Sequence, residues 1–78
     1  MQIRVRYFAA LRELRGCSEE SVEIASDMEI AALFRHLFAD TPLAELPVMF
    51  AVNQGYVTAE HRLSEVDEVA FIPPLGGG

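Results

Sequence analysis

Apolar and polar residues alternate from the start of the chain. Ile3, Val5 and Tyr7 fall on one parity, with Gln2, Arg4, Arg6 and Phe8 on the other, so residues 2–8 are predicted to form a strand with one buried face. The second set is polar until Phe8, which is either covered by a neighbouring segment or left as an exposed contact. Residues 9–15 are good helix formers stopped by Gly16, giving one or two turns of helix. Residues 20–24 form a second strand, with Val22 and Ile24 inward, paired with the first as a wide hairpin. Ser26, Asp27 and Glu29 have the spacing of a capping box, so a helix is expected to begin there. Ile30, Leu33, Phe34, Leu37 and Phe38 then make one helical stripe, the strongest periodic signal in the chain, before Asp40-Thr41-Pro42 ends it.

Residues 48–52 are nearly continuous in apolar side chains, as a central strand covered on much of both faces would be. Asn53-Gln54-Gly55 supplies a turn, with the glycine free to take positive φ, and residues 56–58 return as a short strand. Residues 59–67 form a polar crossing anchored by Leu63 and Val66. Residues 68–72 are the last strand, with Val69 and Phe71 on one face and Ala70 and Ile72 on the other. A parallel pairing of this strand beside the first closes the core. The order of elements predicts an α+β roll of the ubiquitin type, a mixed sheet covered by one main helix. The domain spans residues 1–72, and residues 73–78 form a tail.

Seventy-eight residues permit one small domain. Six basic and twelve acidic residues leave a net charge of −6, which opposes binding to phosphate backbones and favours a partner with a basic groove. No nucleic acid is expected. The six basic residues are all arginine, so the chain offers no lysine as an isopeptide acceptor. A single cysteine, Cys17, forms no internal disulfide, and neither a signal-type stretch nor a membrane-spanning run occurs; residence in the cytoplasm, without a membrane partner, is the expectation.

Conventional catalytic groups find little support. Cys17 follows Gly16 in a loop without a basic pair and reads as an inert residue rather than a nucleophile. His36 falls on the polar side of the main helix, and His61 is isolated in the polar crossing. No two ligand-type residues have a site-forming spacing, so no metal is expected. The pairs Glu19-Glu20 and Asp67-Glu68 are adjacent and cannot face each other across a substrate. The ending Pro73-Pro74-Leu75-Gly76-Gly77-Gly78 is different. Pro73 and Pro74 force the chain off the sheet as a stiff lead, and Gly76 to Gly78 can thread a channel too narrow for any side chain. It reads either as a reactive arm or as a frayed terminus. Adenylation by another protein would turn the Gly78 carboxylate into an electrophile, and a sulfur nucleophile would convert that to a thiocarboxylate able to deliver sulfur. Phe8, Tyr56 and Ile72 are candidates for the docking surface such an arm needs, against partial burial under a loop.

The stretch from Arg6 to Gly16 (RYFAALRELRG), the segment Ala51-Val52-Asn53-Gln54 and the ending from Asp67 to Gly78 (DEVAFIPPLGGG) together resemble the small subunits of molybdopterin synthase over essentially the whole chain. A terminal Gly-Gly alone also occurs in the thiazole-forming sulfur carrier and in ubiquitin-like modifiers. The resemblance implies a β-grasp fold and a sulfur-carrier role in molybdenum cofactor biosynthesis, in which the subunit is not catalytic alone. Gly78 would be the reacting residue, with Gly76 and Gly77 entering the partners' active sites. Phe8, Tyr56, Ile72, Pro73, Pro74 and Leu75 would contact partners. An E1-like adenylating enzyme would spend ATP on Gly78, a sulfurtransferase system would supply sulfur, and the large synthase subunit would receive it on cyclic pyranopterin monophosphate in a heterotetramer. No cofactor would be held permanently. Families of this kind often carry alanine or serine where this chain has Gly76, and an aliphatic residue where it has Tyr56.

Overall fold

In a computed structural model that describes residues 1–74, the elements run β1 (Gln2–Tyr7), α1 (Ala9–Arg15), β2 (Glu19–Glu23), α2 (Ile30–Leu37), β3 (Met49–Val52), β4 (Gly55–Val57) and β5 (Glu68–Ile72). The five strands form one sheet in the order β2-β1-β5-β3-β4. β1 and β5 run parallel at its centre, and the other neighbours are antiparallel. Alternation decides which face is covered: Ile3, Val5 and Tyr7 of β1 join Val69 and Phe71 of β5 under α2, which contributes Ile30, Leu33, Phe34 and, at its cap, Phe38. Phe34 is the hub of the aromatic packing, with ring centroids 5.0 Å from Phe38, 5.0 Å from Phe71 and 6.3 Å from Phe50. This is the α+β, ubiquitin-like β-grasp roll expected from the sequence.

α1 ends as its sequence predicts. Gly16 takes φ 79°, and its N–H donates to the Arg12 carbonyl at 2.9 Å, a left-handed cap that a side chain would strain.

Three expectations are corrected. The capping box does not form: α2 starts at Ile30, its cap Glu29 makes no side-chain cap bond, and Asp27 sits at φ 69°. The free amides of the first turn are met by backbone carbonyls of the polar crossing instead. Ile30 N–H donates to the His61 carbonyl at 2.8 Å and Ala31 N–H to the Ala59 carbonyl at 3.1 Å, so no capping side chain is required. Val66 is not an anchor; at φ 63° its side chain is 85% exposed, whereas Leu63 is buried. The β3–β4 turn places positive φ on Asn53 (51°) and Gln54 (72°), the pattern of a type I′ hairpin turn, and none on Gly55. β3 is covered in part on both faces, as expected: Phe50 and Val52 on the helix side are half-buried, and on the opposite face Ala51 is buried while Met49 is 52% exposed. The second and fourth strands also each begin one residue earlier than expected, although Ile24, just past β2, is still buried.

A polar cluster joins α1, β1 and β2 where they meet the end of α2. Glu20 Oε2 accepts hydrogen bonds from the Tyr7 hydroxyl at 2.6 Å and from Arg15 Nη2 and Nε at 2.6 and 3.1 Å, while Arg15 Nη1 donates to the Leu37 carbonyl at 3.2 Å. The Tyr7 bond, helped by the Arg15 guanidinium, holds the Glu20 carboxyl below its ordinary 4.5, and burial followed by the Glu20 bond pushes the Tyr7 hydroxyl above its ordinary 10. A depressed folded-state carboxyl stabilises the protein above its unfolded value, and that stability is lost as pH falls through the folded one. Urea denaturation from about pH 7 down to about pH 3 should therefore show falling stability below about 4.5. Glu20→Gln should cost about 1–2 kcal/mol at neutral pH and flatten the acid limb; an unchanged acid limb would remove Glu20 from the account.

Candidate functional site

The face of the sheet turned away from α2 carries the candidate docking residues. Its geometry follows from the register of four strands. Arg6 of β1 lies opposite Ala70 of β5, Ala70 opposite Ala51 of β3, and Ala51 opposite Tyr56 of β4. One row across the sheet thus has two alanines in the middle and long side chains at its ends. Small residues between large ones leave a hollow, and a shallow depression of about 230 Å³ lies there, with Ala51 and Ala70 as floor and Phe8, Tyr56 and Ile72 among its walls.

The next row adds apolar area. Met49 faces Ile72 across the β3–β5 pair, and Phe8 extends from the end of β1 as the cap residue of α1. Phe8 is 39% exposed and Tyr56 70%, while Ile72 is half-buried among its strand neighbours. The structure therefore brings Phe8, Tyr56 and Ile72 around one hollow. Met49 does not line the hollow but extends the same apolar face beside Ile72, half-exposed in a strand whose apolar run predicts cover on much of both faces. Its parity with Ile72 follows only from the antiparallel register of two strands separated by a hairpin and a crossing. Alternation along β1 predicts no more for Arg6 than the solvent side; its guanidinium carbon lies 5.7 Å from the centre of the Phe8 ring, within cation–π distance.

β5 runs directly from this surface into the tail. Ala70 and Ile72 face the hollow, Pro73 is half-buried and Pro74 is exposed, neither belonging to a strand. The other tail residues proposed to react or to enter partner sites, Leu75, Gly76, Gly77 and Gly78, lie outside the described residues. Asn53 fixes the start of the same strand: its N–H donates to the Glu68 carbonyl at 2.7 Å, and its side-chain oxygen accepts from the Glu68 N–H at 2.9 Å. Its side-chain nitrogen donates to Asp67 Oδ1 at 3.1 Å, tying the turn beside the hollow to the entry of β5.

Cys17 is half-buried against the core, His36 is exposed, and the His61 carbonyl is engaged at the start of α2. Among the described residues no group of three or more His, Cys, Asp or Glu side chains is placed to hold a metal, and no helix is long and apolar enough to cross a membrane.

Comparison with known proteins matches the ThiS family over residues 5–78. A molybdopterin synthase sulfur carrier subunit from Chlamydomonas reinhardtii is 39% identical, the alignment covering 100% of both chains. Among solved structures, SAMP1 from Haloferax volcanii superposes with a TM-score of 0.79 at 22% identity, covering 100% of each chain. Subunits 1 and 2 of the molybdopterin-converting factor of Helicobacter pylori have been solved as a protein–protein complex, in which the matching chain gives a TM-score of 0.65 at 23% identity with 100% coverage of both. At these identities the two structures speak to fold alone.

Proposed function

The chain belongs to the ThiS family, and from that premise we propose that it is the sulfur-carrier subunit of a molybdopterin synthase. The observation that carries this reading is the 39% identity, over the whole of both chains, to a protein of that name. The geometry supports it: an apolar hollow stands on the free face of the sheet, and the strand that floors it leads straight into Pro73-Pro74 and the glycine ending.

In the proposed cycle an E1-like enzyme attacks ATP with the Gly78 carboxylate, forming an acyl adenylate and releasing pyrophosphate. A sulfurtransferase system then displaces AMP with sulfur, leaving a thiocarboxylate on Gly78. The large synthase subunit receives the tail, the thiocarboxylate sulfur bonds to cyclic pyranopterin monophosphate as part of the dithiolene, and hydrolysis of the acyl–sulfur bond leaves the sulfur on the pterin and returns Gly78 to a carboxylate. The carrier itself contributes no acid, base or metal. Its contribution is to place one nucleophilic sulfur at the end of a thin arm, by docking the surface around Phe8, Tyr56 and Ile72 on its partners. ATP is consumed by the activating enzyme and is not bound by the carrier.

The test is the intact mass of the chain after incubation with the activating enzyme, ATP and a sulfur donor. Exchange of one oxygen for sulfur at Gly78 is expected. A lysine-linked conjugate would instead make the chain a protein modifier, and an unchanged mass would leave the tail inert. Delivery to a thiazole precursor rather than to the pyranopterin would assign it to the other sulfur-carrier pathway.

Docking has its own prediction. Tyr56 is largely exposed, so Tyr56→Asp should leave thermal unfolding unchanged. Placing a carboxylate against an apolar partner surface should weaken the complex with the large subunit about a hundredfold by calorimetry. Wild-type affinity for that variant would move the docking surface elsewhere.

A further inference from the structure

We propose that Arg6 reads a carboxylate on the large synthase subunit, so that one charged contact sets the register of an otherwise apolar docking face; this rests on the carrier reading above. The outer face of the sheet is divided. Toward β2 the side chains are charged, with Arg4 and Glu19 in ion-pair range at 3.9 Å. Toward β4 they are Ala70, Ala51 and Tyr56. Arg6 stands on the dividing line, opposite Glu19 on one side and Ala70 on the other.

Arg6, Arg12 and Arg35 have no carboxylate within ion-pair range among the described residues, and of these three Arg6 is the one on the outer face of the sheet, beside the hollow. Arg4, Arg15 and Arg62 each have a carboxylate within 4.0 Å. Arg6 has none among the described residues, although Glu19 is its direct cross-strand neighbour and Glu68 lines the same hollow. The guanidinium instead lies over the Phe8 ring. This ring contact takes up none of the guanidinium's N–H donors, and none of them is hydrogen-bonded to another described residue, so they are open to another partner. It also restricts the side chain in advance, so less rotamer freedom is lost when a partner binds.

A partner that covers Phe8 and the alanine floor must displace water from those donors. A guanidinium stripped of water without an acceptor opposes binding, so the covering surface has to supply one, and a carboxylate matches the planar fork with two parallel hydrogen bonds. The rest of the chain reinforces the choice. At a net charge of −6 the chain as a whole disfavours a partner carboxylate, and on the outer face of the sheet Arg6 is the arginine without an ion pair, so on that face such a group is favoured opposite Arg6.

The experiment measures affinity of the full chain for the large subunit across a series of salt concentrations. Arg6→Gln should bind about tenfold more weakly with a shallower salt dependence, and Arg6→Glu about a hundredfold more weakly. Arg6→Leu should not restore binding, and Arg6→Glu should be rescued by an acidic-to-arginine change on the facing surface of the large subunit. Wild-type affinity for Arg6→Leu, or tighter binding of Arg6→Glu, would overturn the proposal. So would a loss with Glu19→Gln or Glu68→Gln equal to that of Arg6→Gln, because Arg6 would then be pairing within its own chain. Tyr56→Asp separates the two levels: if it weakens binding while Arg6→Gln does not, only the Arg6 contact fails, and if neither does, the docking face itself is misplaced.

Discussion

Removing Gly77 and Gly78 is expected to abolish sulfur transfer and leave the unfolding curve where it is. Among the described residues the last one buried in the core is Phe71, and the buried core runs from Ile3 to that position, so the truncation removes no described core side chain. The chemistry loses its reacting group. Beyond Pro74, four residues reach at most about 14 Å when fully extended, and two fewer shorten that reach by about 7 Å. The truncated chain still ends in a carboxylate, now on Gly76, but an activating site built around the full arm would hold it several ångströms from the nucleotide. Misplacement by about 1 Å already costs on the order of a hundredfold in rate, so neither adenylation nor dithiolene formation should be detectable. The measurements are intact mass after activation and pterin product in the reconstituted synthase. Product formed at the normal rate by the truncated chain would remove Gly78 from the mechanism, and a lowered melting temperature would show that the tail packs on the domain.

The parts of this protein legible in its sequence are those where one local period determines one burial decision. Alternation at Ile3, Val5 and Tyr7, the helical stripe from Ile30 to Phe38, and the opposite parities of Phe71 and Ile72 each map directly onto the two faces of the sheet. From these the roll and two of the candidate docking residues, Phe8 and Ile72, follow. What was not legible depends on segments distant in the chain. Ser26 and Glu29 look like a capping box, yet carbonyls some thirty residues later, at Ala59 and His61, already satisfy the first-turn amides. Val66 matches an anchor by residue type, but a left-handed backbone turns its side chain to solvent. The floor of the hollow is likewise a product of register: Ala51 and Ala70 are unremarkable alanines until β3 and β5 set them side by side, with Arg6 and Tyr56 at either end of the row. The proposed reacting end, from Leu75 to Gly78, is read from the sequence and the family match.

Two adjacent residues of β5 test that division most sharply. Phe71 is fully buried, with its ring centre 5.0 Å from Phe34 and 6.0 Å from Phe50, so Phe71→Ala opens a cavity where β5, β3 and α2 meet. A loss of about 3–5 kcal/mol is expected, against a total of about 4–12 kcal/mol for a domain of this length, and much of the population should unfold at physiological temperature. Ile72 points the opposite way, toward Met49 and the hollow. Ile72→Asp forfeits some strand propensity, about 1 kcal/mol, but leaves the core under α2 intact. Its larger effect falls on the complex, where a carboxylate meets the partner's apolar surface beside the base of the arm. Chemical denaturation and large-subunit binding, measured on both variants, should therefore give opposite rankings. If Ile72→Asp unfolded as readily as Phe71→Ala, the outer face of β5 would be a second core rather than a docking surface. If it folded and still bound with wild-type affinity, the surface that presents the tail would have to lie elsewhere on the domain.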